Sequence, residues 1–166
     1  MITKSTPLKT VIELGKECKR CGYCCSNDSG FISKNEIKRL AKHFKLSEAK
    51  FTKKYLRETV IFANKVFKFK LRKQPFGSCI MLKDKSCSIQ KIKPLHCRIG
   101  CCSKHGQELS AWFTLNYLVN PLNPESIRQY KLYIETGGKT IPGGELADLV
   151  KDKKTLNKIL KYDILR

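Results

Sequence analysis

Cys18-Lys19-Arg20-Cys21-Gly22-Tyr23-Cys24-Cys25 places four thiols within eight residues. A free cysteine packs only as a small hydrophobe, so a cluster this dense is explained by metal affinity or reactivity rather than by core filling. Working outward, Cys79 and Cys87 bracket a short turn, Cys97 follows Pro94, and Cys101-Cys102 complete a set of nine. Cys18, Cys21 and Cys24 have the C-x2-C-x2-C spacing of the first three ligands in a bacterial ferredoxin run. The fourth step is missing, because Cys25 is adjacent and no cysteine-proline follows. A fourth ligand must therefore come from the distant group, and the fold has to bring the two clusters together.

Other sulfur motifs fit less well. A zinc ribbon needs a second C-x-x-C, whereas the later cysteines are separated by seven, nine and three residues. The C-x-x-C-H haem attachment is absent, and Cys97-x3-Cys101 lacks the further step of a radical-SAM triplet. A thioredoxin-like dithiol requires a strand before Cys21 and a helix at Cys24, which the surrounding turn residues do not predict. Lys16, Lys19, Arg20, Arg98 and Lys104 flank the thiols and favour the thiolate, which is the metal-binding form. The candidate metal ligands are Cys18, Cys21, Cys24, Cys25, Cys79, Cys87, Cys97, Cys101 and Cys102. Their spacing and surplus favour an iron-sulfur cluster of the 4Fe-4S type, with zinc the alternative.

The bulk composition fits this reading. At 166 residues, 41% hydrophobic and 29% charged, the chain has the balance of an ordinary globular domain and needs no staple to form a core. Nine cysteines close a disulfide framework poorly, and Met1–Gly15 lacks the pattern of a secretory signal, so a reducing, cytoplasmic setting is expected. No apolar run approaches the roughly 20 residues of a membrane span. With 34 Lys and Arg against 14 Asp and Glu, the net charge of +20 creates a field that would attract an acidic protein partner or nucleic acid. A nucleic-acid-binding module is thus one alternative function, although no reading helix or row of stacking aromatics is evident.

The periodicities predict an α+β fold: a small cysteine-cluster metal-binding domain with short hairpins and helices over 1–106, then a helical C-terminal extension over 107–166 packed on the same domain. Thr10–Leu14 reads as a short strand or packed lead-in, and Cys18–Gly30 as a loop. Ser33 and Glu36 form a capping box ahead of Ile37, Leu40, Ala41 and Phe44, which predicts a helix bearing His43 beside its apolar face. Ser47 caps a second helix. Val60–Phe62 and Phe67–Leu71 read as strands, with Lys68 and Lys70 on a solvated face. Cys79–Leu82 and Cys87–Ile89 flank a turn at Asp84-Lys85-Ser86, and Pro94 stops one helical turn before it. Glu108–Asn120 suggests a further amphipathic helix, with a strand the alternative. Asn123, Pro124 and Gly137 delimit another, and the lysine-rich tail reads as one broken or two short helices.

Taken jointly, Cys-x-x-Cys-Gly-x-Cys-Cys, Glu36-Ile37, Cys79-Ile80-Met81-Leu82, Cys87-Ser88-Ile89 and Pro94-x-x-Cys97-Arg98 resemble the CxxCxxCC, or YkgJ-type, family, described as a zinc- or iron-chelating domain. The resemblance covers about Lys16 to Arg98 and matches Cys18, Cys21, Cys24, Cys25, Cys79, Cys87 and Cys97 to the recurring cysteines. It also implies a kinship with flagellin lysine N-methylases, and with it a second alternative: an iron-sulfur-dependent protein-modifying enzyme such as a lysine N-methyltransferase. No glycine-rich methyl-donor loop follows a strand here, so that activity rests on the resemblance.

Overall fold

The computed structural model describes residues 1–17, 19, 21–73, 75–100, 102 and 104–165. Helix α1 spans Leu8–Gly15, where a strand or lead-in was the expectation for Thr10–Leu14. Val11 and Gly15 are buried one turn apart, as the i, i+4 period of a helix requires and strand alternation does not. The stretch read as loop before Gly30 contains one turn of helix, α2 (Tyr23–Asn27), followed by the short strand β1 (Phe31–Ile32). Helices α3 (Lys34–His43) and α4 (Glu48–Tyr55) form as their caps predict. Glu36 Oε2 accepts from both the backbone N–H and the hydroxyl of Ser33 at 2.9 Å, and Ser47 Oγ accepts from Lys50 N–H. His43 is exposed.

Strands β2 (Leu56–Ile61) and β3 (Asn64–Phe69) form a hairpin, and β1 adds antiparallel to the other edge of β3, giving the order β1-β3-β2. The hairpin turns through Phe62 and Ala63, both at positive φ (47° and 58°). Contacts from the following helices hold this unfavourable turn. Ala63 N–H donates to Gln129 Oε1 at 2.8 Å, Asn64 Nδ2 donates to Leu118 O at 2.8 Å, and the Phe62 ring meets Tyr130 and Tyr133 edge-on.

The expected solvated lysine face fails at Lys68. As β3 is the central strand, β1 covers that side: Lys68 is 8% exposed, pairs with Asp28, and lies 4.7 Å above the Phe31 ring. Lys70 is half-buried and donates to Lys53 O. Leu71 leaves the sheet to bridge Cys79.

A second small hairpin, β4 (Leu82–Lys83) and β5 (Ser86–Cys87), turns at Asp84-Lys85. A 3₁₀ turn (Gln90–Ile92) precedes Pro94, and α5 (Leu95–Ile99) carries Cys97. Then follow α6 (Gly106–Phe113), continued by a π turn over Thr114–Leu118, and α7 (Pro124–Glu135), capped by Asn123. The tail forms two short helices, α8 (Leu146–Leu149) and α9 (Lys153–Leu160).

Apolar side chains gather into two cores. One joins Val11 and Ile99 to Leu109, Phe113, Ile127 and Tyr130, so residues on both sides of position 106 share it. The other unites Leu40, Phe51, Phe69, Met81 and Ile89. The fold is α+β with C-terminal helices, and no helix among the described residues is long and apolar enough to cross a membrane.

Candidate metal centre

Three local structures carry the thiols: the α2 turn, the approach to the β4–β5 hairpin, and α5. Hydrogen bonds that do not involve sulfur tie the first to the second and fix the start of the third. Cys79 N–H donates to Cys25 O at 2.7 Å, tying the first cluster to the second. Glu36 Oε1 accepts from Leu95 N–H at 2.6 Å, so the capping residue of α3 also fixes the start of α5. Gly22 begins the α2 turn at φ 74°, and a Cβ there would lie 2.8 Å from Lys85 O. Only glycine permits both the left-handed backbone and the approach of the β4–β5 turn.

These contacts bring Cys24, Cys25, Cys79, Cys87 and Cys97 to the wall of one cavity of about 150 Å³, with Asp28, Gly30, Lys93 and His96. An adjoining cavity of about 370 Å³ shares Cys24, Cys25, Cys87, Lys93 and His96 and adds Cys21 and Cys102. Both clusters therefore meet in space. Cys18 and Cys101, two of the nine candidate ligands, lie outside the described residues.

Two sulfur pairs are close: Cys24 with Cys25 at 3.9 Å, and Cys21 with Cys102 at 4.0 Å. Tetrahedral ligands at a metal–sulfur distance of about 2.3 Å sit about 3.8 Å apart, so each pair has the separation of two thiolates on one ion. Beyond pairs, no group of three or more His, Cys, Asp or Glu side chains among the described residues stands as a ready-made cage. The donor chemistry nevertheless fits zinc or iron, since five soft ligands converge on one cavity from three segments.

The proton inventory shows why a cation suits this cavity. Burial pushes the Cys79 thiol up to about 11 and the Cys97 thiol up to about 12, with neighbouring thiols adding to the effect. Cys25 also stays protonated. Its hydrogen bond to Cys24, reinforced by burial, raises it. Cys24 accepts that hydrogen bond and is lowered to about 6, helped by the positive charge of Lys93. One thiolate among several buried thiols is the arrangement that a divalent ion would convert, by displacing protons, into a full ligand set.

His96, which the sequence reading passed over, lines both cavities. Its Nδ1 accepts from Phe31 N–H at 3.1 Å, and its ring packs against Phe31 and Phe113. Burial lowers its pKa to about 4, so it is neutral at pH 7. With Nδ1 accepting, the proton resides on Nε2, which makes the ring a hydrogen-bond donor rather than a metal ligand. Its position beside Cys97 is the one sequence signal that could have exposed it. Gly30 was also passed over: a Cβ at that position would collide with Cys97 Sγ.

Residues 17–113 match the model of a family described as "CxxCxxCC: Putative zinc- or iron-chelating domain". That span holds all nine cysteines. The chain is also similar to an uncharacterized protein of Methanocaldococcus jannaschii, MJ0661, at 32% identity over 84 residues, covering 49% of this chain and 42% of that protein. The chain thus spans less than half the length of this relative. No solved structure matches. The family description supports metal binding.

Proposed function

The chain belongs to the CxxCxxCC family, and we propose that it holds an iron-sulfur cluster in the cavity lined by Cys24, Cys25, Cys79, Cys87 and Cys97. The observation that carries this reading is that cavity. A void of about 150 Å³ walled by five thiols is many times the space a single water needs and larger than a bare ion would fill. Thiolates are the usual ligands of iron-sulfur clusters, and the C-x2-C-x2-C spacing of the first group agrees with such a role. A bound cluster would supply either electron transfer or a Lewis-acidic iron. The chain's own residues would position the sulfurs, exclude water through Phe69, Met81 and Ile89, and present the His96 imidazole N–H.

One observation favours a second reading, zinc: the sulfur separations of 3.9 and 4.0 Å match two ligands of a single tetrahedral ion. Under this reading the site is structural, and the free energy of binding contributes directly to folding. Iron, zinc and acid-labile sulfide analysis of protein purified without oxygen, together with its visible spectrum, decides between them. Iron and sulfide in equal amounts with a brown colour support the cluster. A colourless protein holding stoichiometric zinc supports the second reading, and a protein free of both metals overturns the two together.

A further inference from the structure

Lys93 is 9% exposed, yet none of the ion pairs among the described residues includes it. Lys68, the other buried lysine, has Asp28 as its counter-charge. Lys93 therefore brings a positive charge with no carboxylate partner among the described residues to the wall that it helps to form. The backbone of Lys93 is held in place: its carbonyl accepts from Arg39 Nη2 at 3.2 Å and from Arg98 Nε at 3.1 Å. Lys93 lines both thiol cavities. The nearby carboxylates are engaged elsewhere, Asp28 with Lys68 and Arg57, and Glu36 with Ser33 and Leu95. Cys24 and Cys97 share that wall with Lys93, and its positive charge favours the ionised form of each.

We propose that Lys93 is the charge-compensating residue of the thiolate centre, its ammonium offsetting the surplus negative charge that the bound ligands carry and so setting how tightly the metal is held. This rests on the metal-centre reading above. Four thiolates on a divalent ion leave about two negative charges in simple ligand counting, and one cation on the cavity wall offsets about half of that surplus. Lys93 itself ligates nothing. It acts through the sulfurs as a positioning residue, in the way that outer groups around metal sites raise affinity by orienting and neutralising the ligands.

The test uses Zn²⁺ as the probe, added to reduced, metal-free protein in competition with a chromophoric chelator. Wild type, Lys93→Met and Lys93→Arg are compared, and thermal unfolding of each metal-free protein is recorded alongside. Lys93→Met is expected to bind Zn²⁺ about 10–100-fold more weakly, and Lys93→Arg to recover most of the loss. Lys93→Gln carries the same expectation as Lys93→Met should the latter not fold. Wild-type affinity in both neutral variants would overturn the inference and leave the metal centre standing. A space-filling role would instead make the bulkier arginine the disruptive change, which would also overturn it. Wild-type protein that takes up no Zn²⁺ would overturn the inference, while the iron and sulfide content of the purified protein would still decide the metal centre itself.

Discussion

Gly30→Ala probes the packing around the cavity with a single methyl group. The added Cβ would collide with Cys97 Sγ and approach His96 Nδ1 to 3.2 Å. The loop cannot retreat easily. Ser29 Oγ donates to Phe69 O at 2.7 Å in a buried bond on one side of Gly30, and Phe31 N–H donates to His96 on the other. Accommodating it would push Cys97 from the cavity and break the Phe31–His96 hydrogen bond. Overpacking costs about 1–3 kcal/mol and a lost hydrogen bond about 1 kcal/mol. The sum of about 2–4 kcal/mol corresponds to a Tm drop of about 4–16 °C for a chain of this size. Because the displaced group is a proposed ligand, metal content should fall as well. Differential scanning fluorimetry and elemental analysis of the same preparation measure both. A Gly30→Ala protein with wild-type Tm and full metal would refute the packing argument and the place given to Cys97.

Further outcomes follow from the same geometry. At pH 7 Cys25, Cys79 and Cys97 are protonated while Cys24 is largely ionised, so Zn²⁺ binding should release protons and tighten as pH rises from 6 to 8; calorimetry in two buffers of different ionisation enthalpy counts them, and a pH-independent affinity contradicts the assignment. Chelator treatment under reducing conditions should lower Tm, with the loss reversed in proportion to added metal; an unchanged Tm would mean that the metal does not bind the folded state preferentially. His96→Asn should retain metal, since Nδ1 is committed to Phe31; loss of stoichiometric metal would make His96 a ligand after all. Arg128→Leu removes donors to Ile159 O, Ile164 O and Leu165 O and should cost about 2–4 kcal/mol, exposing the C-terminal segment to proteolysis while metal content is unchanged; equal protease resistance contradicts the anchoring role.

The sequence is most informative where a local rule acts alone. Ser33 with Glu36, Ser47, and Asn123 with Pro124 each mark a helix start that the structure contains, because capping depends on residues three apart. The β2–β3 hairpin is legible in the alternation of Phe67, Lys68 and Phe69. Tertiary packing hides the rest. Thr10–Leu14 is too short for periodicity to separate strand from helix, and contact with α5 and α6 decides for helix. Lys68 looks solvent-facing on alternation alone, and only the arrival of β1 and Asp28 buries it. At the metal centre the cysteines were visible as residues, whereas Gly30, His96 and Lys93 gain meaning from distances across 60 or more positions of chain. The expected union of the two cysteine groups is seen in the cavity wall for Cys24, Cys25, Cys79, Cys87 and Cys97.

The metal centre proposed above requires thiols far apart in sequence to share one metal. Elemental analysis of anaerobically purified Cys24→Ser and Cys97→Ser variants, each beside wild type and checked for folding by circular dichroism, tests it most directly. Either substitution alone should remove metal to a similar extent, because the two residues serve the same centre. Full wild-type metal in folded protein carrying either change would contradict it.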